Sequence, residues 1–107
     1  MRPLPRLSCS LFAAVLALAP ADRLQMADKM FAKGLYAEAA REYAALKGEK
    51  TVSADDVAFR IAECDRLLGR EKEALSVYES LLLKDVPKSM RAVALYRVAC
   101  VRNDVAL

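Results

Sequence analysis

Residues 34–46, GLYAEAAREYAAL, and residues 69–81, GREKEALSVYESL, decide the fold of this chain. The two stretches superpose when the sequence is shifted by 35 residues, and the same shift places Ala27 on Ala62. A fixed period of this length is the sequence signature of a structural repeat. The further identities are Gly34/Gly69, Glu38/Glu73, Ala39/Ala74, Tyr43/Tyr78 and Leu46/Leu81.

Unit one of the repeat, about residues 22–48, has the pattern of a helical hairpin. Apolar residues recur at spacings of three and four, as they do on one face of an α-helix. We expect Asp22 to cap a first helix that Gly34 ends in a left-handed conformation. A second helix then begins at Tyr36, and Gly48 ends it.

Unit two, about residues 54–87, repeats the hairpin, and a half unit, about residues 89–104, follows it. Ser53 and Asp56 resemble a capping box at the start of unit two. We expect Ser89 to cap the helix of the half unit, after which the sequence holds no second helix. The prediction is an all-α fold without strands, with helices near 22–33, 36–47, 54–68, 71–84 and 89–102.

The first 21 residues have the layout of a secretory signal peptide. Arg2 and Arg6 precede an apolar run over residues 7–19, and small residues follow at positions 19–21. We therefore predict export to the periplasm or cell envelope, with cleavage before Asp22 and membrane contact only during export. Removing residues 1–21 lowers the formal charge from +3 to +1, which argues against nucleic-acid binding.

The composition favours a binding protein over an enzyme. The chain has no histidine, no glycine-rich phosphate loop and no cysteine cluster with metal-ligand spacing. Asp55 and Asp56 are adjacent acids, but the first turn of a helix favours acids because of the helix dipole. We expect no catalytic residue, metal or cofactor.

The chain resembles the tetratricopeptide repeat family. The resemblance lies in the small residue within each first helix, the Gly-x-Tyr turn at Gly34 and Tyr36, and the Ala-x3-Tyr pairs of both second helices. It is similar in particular to bacterial periplasmic and outer-membrane-associated members. The resemblance implies that residues 22–107 form antiparallel hairpins stacked as a short right-handed solenoid, and that the protein is a scaffold for other proteins.

The resemblance also implies a groove lined by the first helix of each unit, which would receive a peptide or a partner helix. Aromatic side chains beside carboxylates suit an apolar segment that carries basic residues. The alternative interpretation is that Phe59 and Tyr96 only pack between helices. The groove residues implied are Leu24, Asp28, Phe31, Asp56, Phe59, Glu63, Arg66, Tyr96 and Asn103.

Three questions stay open at the level of the sequence. The first is whether the chain works alone or as an amino-terminal accessory module of a larger enzyme or transport component. The second is whether Cys64 and Cys100 are bridged or free thiols. The third is self-association, which we expect through a carboxy-terminal helix face holding Leu95, Val98 and Val101.

Overall fold

A computed structural model describes residues 18–106 of the chain, with side chains as far as residue 103. This part is all-helical and contains no strand, as predicted, and none of its helices is both long and apolar enough to cross a membrane. Residues 1–17, which include most of the predicted signal peptide and Cys9, lie outside the described residues. The five helices are α1 (Pro20–Ala32), α2 (Tyr36–Ala45), α3 (Ala54–Leu67), α4 (Glu71–Leu82) and α5 (Lys88–Ala106).

Two of the three predicted helix caps, Asp22 and Ser89, are wrong, and the third, Ser53, is confirmed. Helix α1 begins at Pro20, so Asp22 lies in its first turn instead of capping it. Proline suits this position because the first helical residue needs no N–H donor. Helix α5 begins at Lys88, so Ser89 also lies inside the helix. Ser53 does cap α3, where its hydroxyl accepts a hydrogen bond from the Asp56 amide at 3.3 Å.

The turns within both hairpins are built in the same way around a glycine. Gly34 and Gly69 have φ angles of +84° and +86°, a region that favours glycine. After α1, the Leu35 amide donates a hydrogen bond to the Met30 carbonyl at 2.9 Å. After α3, the Arg70 amide donates one to the Asp65 backbone carbonyl at 2.8 Å. These bonds complete a Schellman motif at each helix end. Only three residues separate the helices of each hairpin.

The principal contacts of each helix are with the helices next to it in sequence. Two core clusters result, and each is centred on an alanine pair and a tyrosine. The first is Ala27, Ala39, Tyr43, Leu46, Val57 and Cys64, and the second is Ala62, Ala74, Tyr78, Ala94 and Val98. Such nearest-neighbour packing is how repeat proteins bury apolar faces that one hairpin cannot cover.

Helix α5 buries one residue of the face that was predicted to be open for self-association, whereas Leu95 of that face is exposed. Val98 is buried in the second cluster together with Ala94, so Val98 is not part of an open face. Ala99, the small residue of the half unit that corresponds to Ala27 and Ala62, is exposed. The reason is that Ala62 is covered by Ala74 of the next helix, whereas no described helix follows α5.

The two cysteines of the helical region are free thiols. Cys64 is fully buried in the first cluster, between α3 and the preceding hairpin. Cys100 lies half-buried on α5. The structure thus favours free thiols over the bridge that the sequence left open.

Candidate functional site

A pocket of about 390 Å³ opens between α1, α2 and α3. It brings together Asp28 and Phe31 of α1 with Phe59 and Glu63 of α3, all of which were predicted to line a groove. Asp56, from the same prediction, completes the α3 side. Tyr43 and Arg60 also line the pocket, and the sequence interpretation did not assign them to a site.

Asp28 is the centre of a polar network that joins three helices. The Tyr43 hydroxyl on α2 donates to Asp28 Oδ1 at 2.5 Å, and the Arg60 guanidinium on α3 pairs with the same oxygen. Arg60 Nε also donates to Asp56 Oδ1 at 3.0 Å. Its guanidinium lies 5.9 Å from the centre of the Tyr43 ring, within the range of a cation–π contact. We call Asp28, Tyr43 and Arg60 the first network.

Glu63 is the centre of a second network with the same components, one hairpin further along. The Tyr78 hydroxyl on α4 donates to Glu63 Oε2. Arg97 on α5 donates twice, from Nε to Oε2 at 3.1 Å and from Nη2 to Oε1 at 2.9 Å. Arg66 adds a bond from Nη2 to Oε1 at 3.2 Å. We call Glu63, Tyr78 and Arg97 the second network.

The two networks are repeats of one arrangement. The carboxylates and the tyrosines are each 35 residues apart, and the arginines Arg60 and Arg97 are 37 residues apart. In both, a carboxylate accepts from the tyrosine of the next helix and pairs with an arginine of the helix after that. Buried tyrosine hydroxyls need such partners. The repeat therefore carries a polar element as well as an apolar core.

Protonation in the networks is set by burial and by these bonds. Burial alone would raise the pKa of Glu63, but hydrogen bonds from Arg97, Tyr78 and Arg66 outweigh it and hold that pKa below its usual range. Burial, and then donation to a carboxylate, raises the pKa of Tyr43 and of Tyr78. Glu63 is therefore ionised at neutral pH while both tyrosines keep the proton that they donate.

The remaining predicted groove residues lie outside the pocket. Leu24 packs against the first core cluster. Arg66 is drawn into the second network by Glu63. Tyr96 is 62% exposed on α5, where its ring contacts Arg97, and Asn103 is exposed further along the same helix. The predicted row of residues is thus divided between a pocket, a core contact and a separate surface.

The sequence contained a signal for the two missed pocket residues. Tyr43 was read as an apolar core residue, and its ring is indeed buried, but its hydroxyl required an acceptor. Arg60 was not recognised as the counterpart of Arg97 because the spacing changes from 35 to 37 residues between units. Within residues 18–103, no group of three His, Cys, Asp or Glu side chains is arranged to hold a metal ion.

Comparisons with known proteins give no match: no protein-family model, no curated protein and no solved structure is significantly similar to this chain.

Proposed function

We propose that this chain is a tetratricopeptide-type scaffold of the bacterial cell envelope, and that the α1–α3 pocket binds an apolar segment of another protein. The segment would carry a basic residue. The pocket supports this proposal because it combines two phenylalanines with three carboxylates and one arginine. The hairpin repeat and its nearest-neighbour packing support the scaffold role.

The observation that carries the proposal is the set of carboxylate oxygens left open in the pocket. Among the described residues, every hydrogen bond to Asp28 and Asp56 falls on Oδ1, and the Oδ2 atoms accept none. The side chains of Asp28 and Asp56 are 39% and 33% exposed. Glu63 is paired separately with Arg66 and Arg97. Asp28 and Asp56 share the single charge of Arg60, which leaves one negative charge at this pair. A lysine or arginine of the partner would neutralise it.

Phe31 and Phe59 give the apolar part of the proposed contact. Both line the pocket and are only partly buried. Their rings are held edge-on by tyrosines, with centroids 5.1 Å apart for Phe31 and Tyr36 and 6.1 Å apart for Phe59 and Tyr78. Rigid aromatic anchors of this kind concentrate binding energy in interfaces.

A titration with matched peptides tests the proposal. The probe is a fluorescein-labelled apolar peptide with one central lysine, compared with versions in which norleucine or glutamate replaces that lysine. We expect the lysine peptide to bind most tightly by anisotropy, the norleucine peptide less tightly and the glutamate peptide least. Equal binding of the three peptides contradicts the proposal.

Two variants connect that binding to the pocket. Asp56→Asn should remove most of the preference for lysine, and Phe59→Ala should weaken all three peptides. The matched control is Asp55→Asn, since Asp55 lies one residue away and pairs with Lys84 outside the pocket. If Asp55→Asn and Asp56→Asn have the same effect, the binding site is elsewhere.

Export is the second part of the proposal and rests on residues 1–21 alone. Intact-mass analysis of the protein from a periplasmic fraction tests it. We expect a chain that begins at Asp22. Recovery of the uncleaved chain from the cytoplasm would contradict export.

A further inference from the structure

One face of α5 repeats a surface that another helix partly covers elsewhere in the molecule. Tyr96, Ala99, Cys100 and Asn103 lie at spacings of three, four and seven and so form one stripe of the helix. The residues 37 positions earlier in α3 are Phe59, Ala62, Glu63 and Arg66. We call the α5 set, together with Ala92 four residues before Tyr96, the α5 stripe.

In α3 the corresponding stripe is partly covered by α4. Ala62 is fully buried against Ala74 in the second core cluster, and Phe59 meets the Tyr78 ring edge-on. The covering helix therefore presents an alanine and, four residues later, a tyrosine.

Helix α1 is covered in the same way by α2, through Ala39 and Tyr43. The same two-residue motif thus covers the central alanine of this stripe in both hairpins.

On α5 no described residue covers the stripe. Ala92, Ala99 and Asn103 are exposed, Tyr96 is 62% exposed, and Cys100 at the edge of the stripe is half-buried. The opposite face of α5 is anchored by Ala94 and Val98 in the core. The stripe is therefore held facing outward.

The α5 stripe itself contains the motif that would cover it. Ala92 and Tyr96 have the spacing of Ala39 and Tyr43 and of Ala74 and Tyr78, and both are exposed. If a second copy of α5 packed antiparallel on the first, Ala92 of one copy would contact Ala99 of the other. The Tyr96 side chains of the two copies would then lie side by side.

We propose that the α5 stripe is the interface of a symmetric dimer, in which the occupant of the stripe is the α5 helix of a second copy. The pairing of residue 92 with 99 implies the pairing of 99 with 92, as a two-fold interface requires. Tyr96 then lies at the two-fold axis.

The charges of α5 permit this arrangement. The stripe contains no charged residue, and two of the arginines beside it are paired within the chain, whereas Lys88 and Arg91 at its amino-terminal end form no ion pair among the described residues. Arg97 binds Glu63, and Arg102 binds Glu79. In an antiparallel pair the Lys88 residues of the two copies lie at opposite ends of the contact, so the centre of the stripe brings no like charges together.

The size of the contact sets the expected strength. A single pair of helices buries less than the roughly 1,200 Å² of a standard interface, which places the dimer among weak, transient associations. Exposed Leu95 adjoins the stripe and adds apolar area.

Sedimentation velocity of the full chain over a concentration series tests the dimer. We expect reversible monomer–dimer exchange, with the dissociation constant raised about tenfold or more by Ala99→Arg. The matched control is Ala44→Arg, which places the same charge on an exposed alanine of α2. Circular dichroism verifies that both variants are folded.

A crosslinking experiment determines the orientation of the two helices. Cysteine is introduced as Ala92→Cys in one sample and Ala99→Cys in another, both with Cys9→Ser and Cys100→Ser, and the two are mixed and oxidised. The antiparallel pairing predicts mixed disulfides between the two variants in excess of disulfides within each. A parallel pairing would give the reverse.

Three results would overturn the proposal. One is a monomer at every concentration. Another is association that survives Ala99→Arg, as it would if residues 1–21 caused it. The third is a chain that stays monomeric but binds, through α5, a synthetic peptide with the α4 sequence of residues 71–85. That result would mean that the stripe receives a helix with an Ala-x3-aromatic motif from a different protein.

Discussion

Arg97 on α5 donates two hydrogen bonds to Glu63 on α3, and the two residues are separated by the whole of α4. The contact repeats the pairing of Arg60 with Asp28 across α2. An arginine in this position joins a helix to the helix two before it. The side chains of Arg97 and Glu63 are 24% and 14% exposed, so water screens the pair only in part.

The first prediction is that Arg97→Ala destabilises the protein by about 1–3 kcal/mol, because it removes charge-assisted bonds from a mostly buried carboxylate. Amide exchange should accelerate most in α5. The control is Arg102→Ala, whose ion pair with Glu79 is largely exposed and is expected to contribute about 0–1 kcal/mol. Urea unfolding measures the free energy of unfolding of both variants. Equal losses of stability would show that the Arg97–Glu63 contact contributes no more than an exposed ion pair.

The second prediction compares equivalent alanines. Ala62→Leu should cost about 1–3 kcal/mol, because Ala62 is fully buried and a larger side chain overpacks the contact with α4. Ala99→Leu changes the equivalent position on α5, which is exposed, and should alter stability by no more than about 0.5 kcal/mol. Thermal unfolding at low protein concentration distinguishes the two. A similar loss in both variants would mean that the unit alignment is shifted.

The third prediction concerns the stability of the fold in acid. The pKa of Glu63 is lower in the folded state than its ordinary value of 4.5, so the folded state binds the proton more weakly than the unfolded chain. The stabilisation that ionised Glu63 gives the fold is therefore present above about pH 4.5, and it is lost as the pH falls through the folded-state pKa. Glu63→Gln should lower stability at pH 7 and flatten the decline below pH 5. Glu49→Gln, an exposed loop substitution, should leave that decline unchanged.

The fourth prediction concerns the hairpin turns. Gly34→Ala and Gly69→Ala should each cost about 1–2 kcal/mol, because the residue must keep a positive φ angle. The added Cβ would meet no atom within 4 Å at either glycine, so the cost is one of backbone conformation and not of collision. Asparagine tolerates this region better, and Gly69→Asn should recover part of the loss in chemical unfolding.

The fifth prediction ranks the thiols by reactivity. Burial, followed by the nearby charges of Asp65 and Glu63, raises the pKa of Cys64 to about 11, and its side chain is inaccessible. Cys100 is half-buried and free. Iodoacetamide labelling followed by peptide mass analysis should therefore modify Cys100 well before Cys64. Protection of both cysteines until reduction would instead show a bridge.

The hairpins could be predicted from the sequence because their determinants are local. Gly34 and Gly69 require a positive φ angle, and the alanines and tyrosines that pack each hairpin recur at a constant spacing. The exact helix starts could not, since Pro20 at the first position of α1 removed the need for a cap by Asp22.

The packed face of α5 was the main error in the fold, and its cause is the composition of the helix. Apolar residues occur around the whole circumference of α5, so periodicity alone could not select Val98 over Leu95 for the core. The contact that orients α5 is polar, from Arg97 to Glu63, and an apolar pattern does not reveal it.

The pocket could be predicted only in part for a similar reason. Asp28, Phe31, Phe59 and Glu63 follow from the positions of the first helices. Arg60 enters the pocket through its bonds to Asp28 and Asp56, which depend on how two hairpins are placed relative to each other. No single repeat unit contains that information.

The placement of each arginine on the following unit has a consequence for how such a chain can lengthen by gene duplication. A carboxylate and a tyrosine from one unit are completed only by the arginine of the next, so no network is closed within a single unit. Copying a whole unit in tandem, with its carboxylate, tyrosine and arginine, would create one new junction in which every member has its partner. Copying a fragment that holds a carboxylate and a tyrosine but no arginine would strand a carboxylate at the new junction. The networks thus favour growth of the array by complete units of about 35–37 residues and act against partial ones.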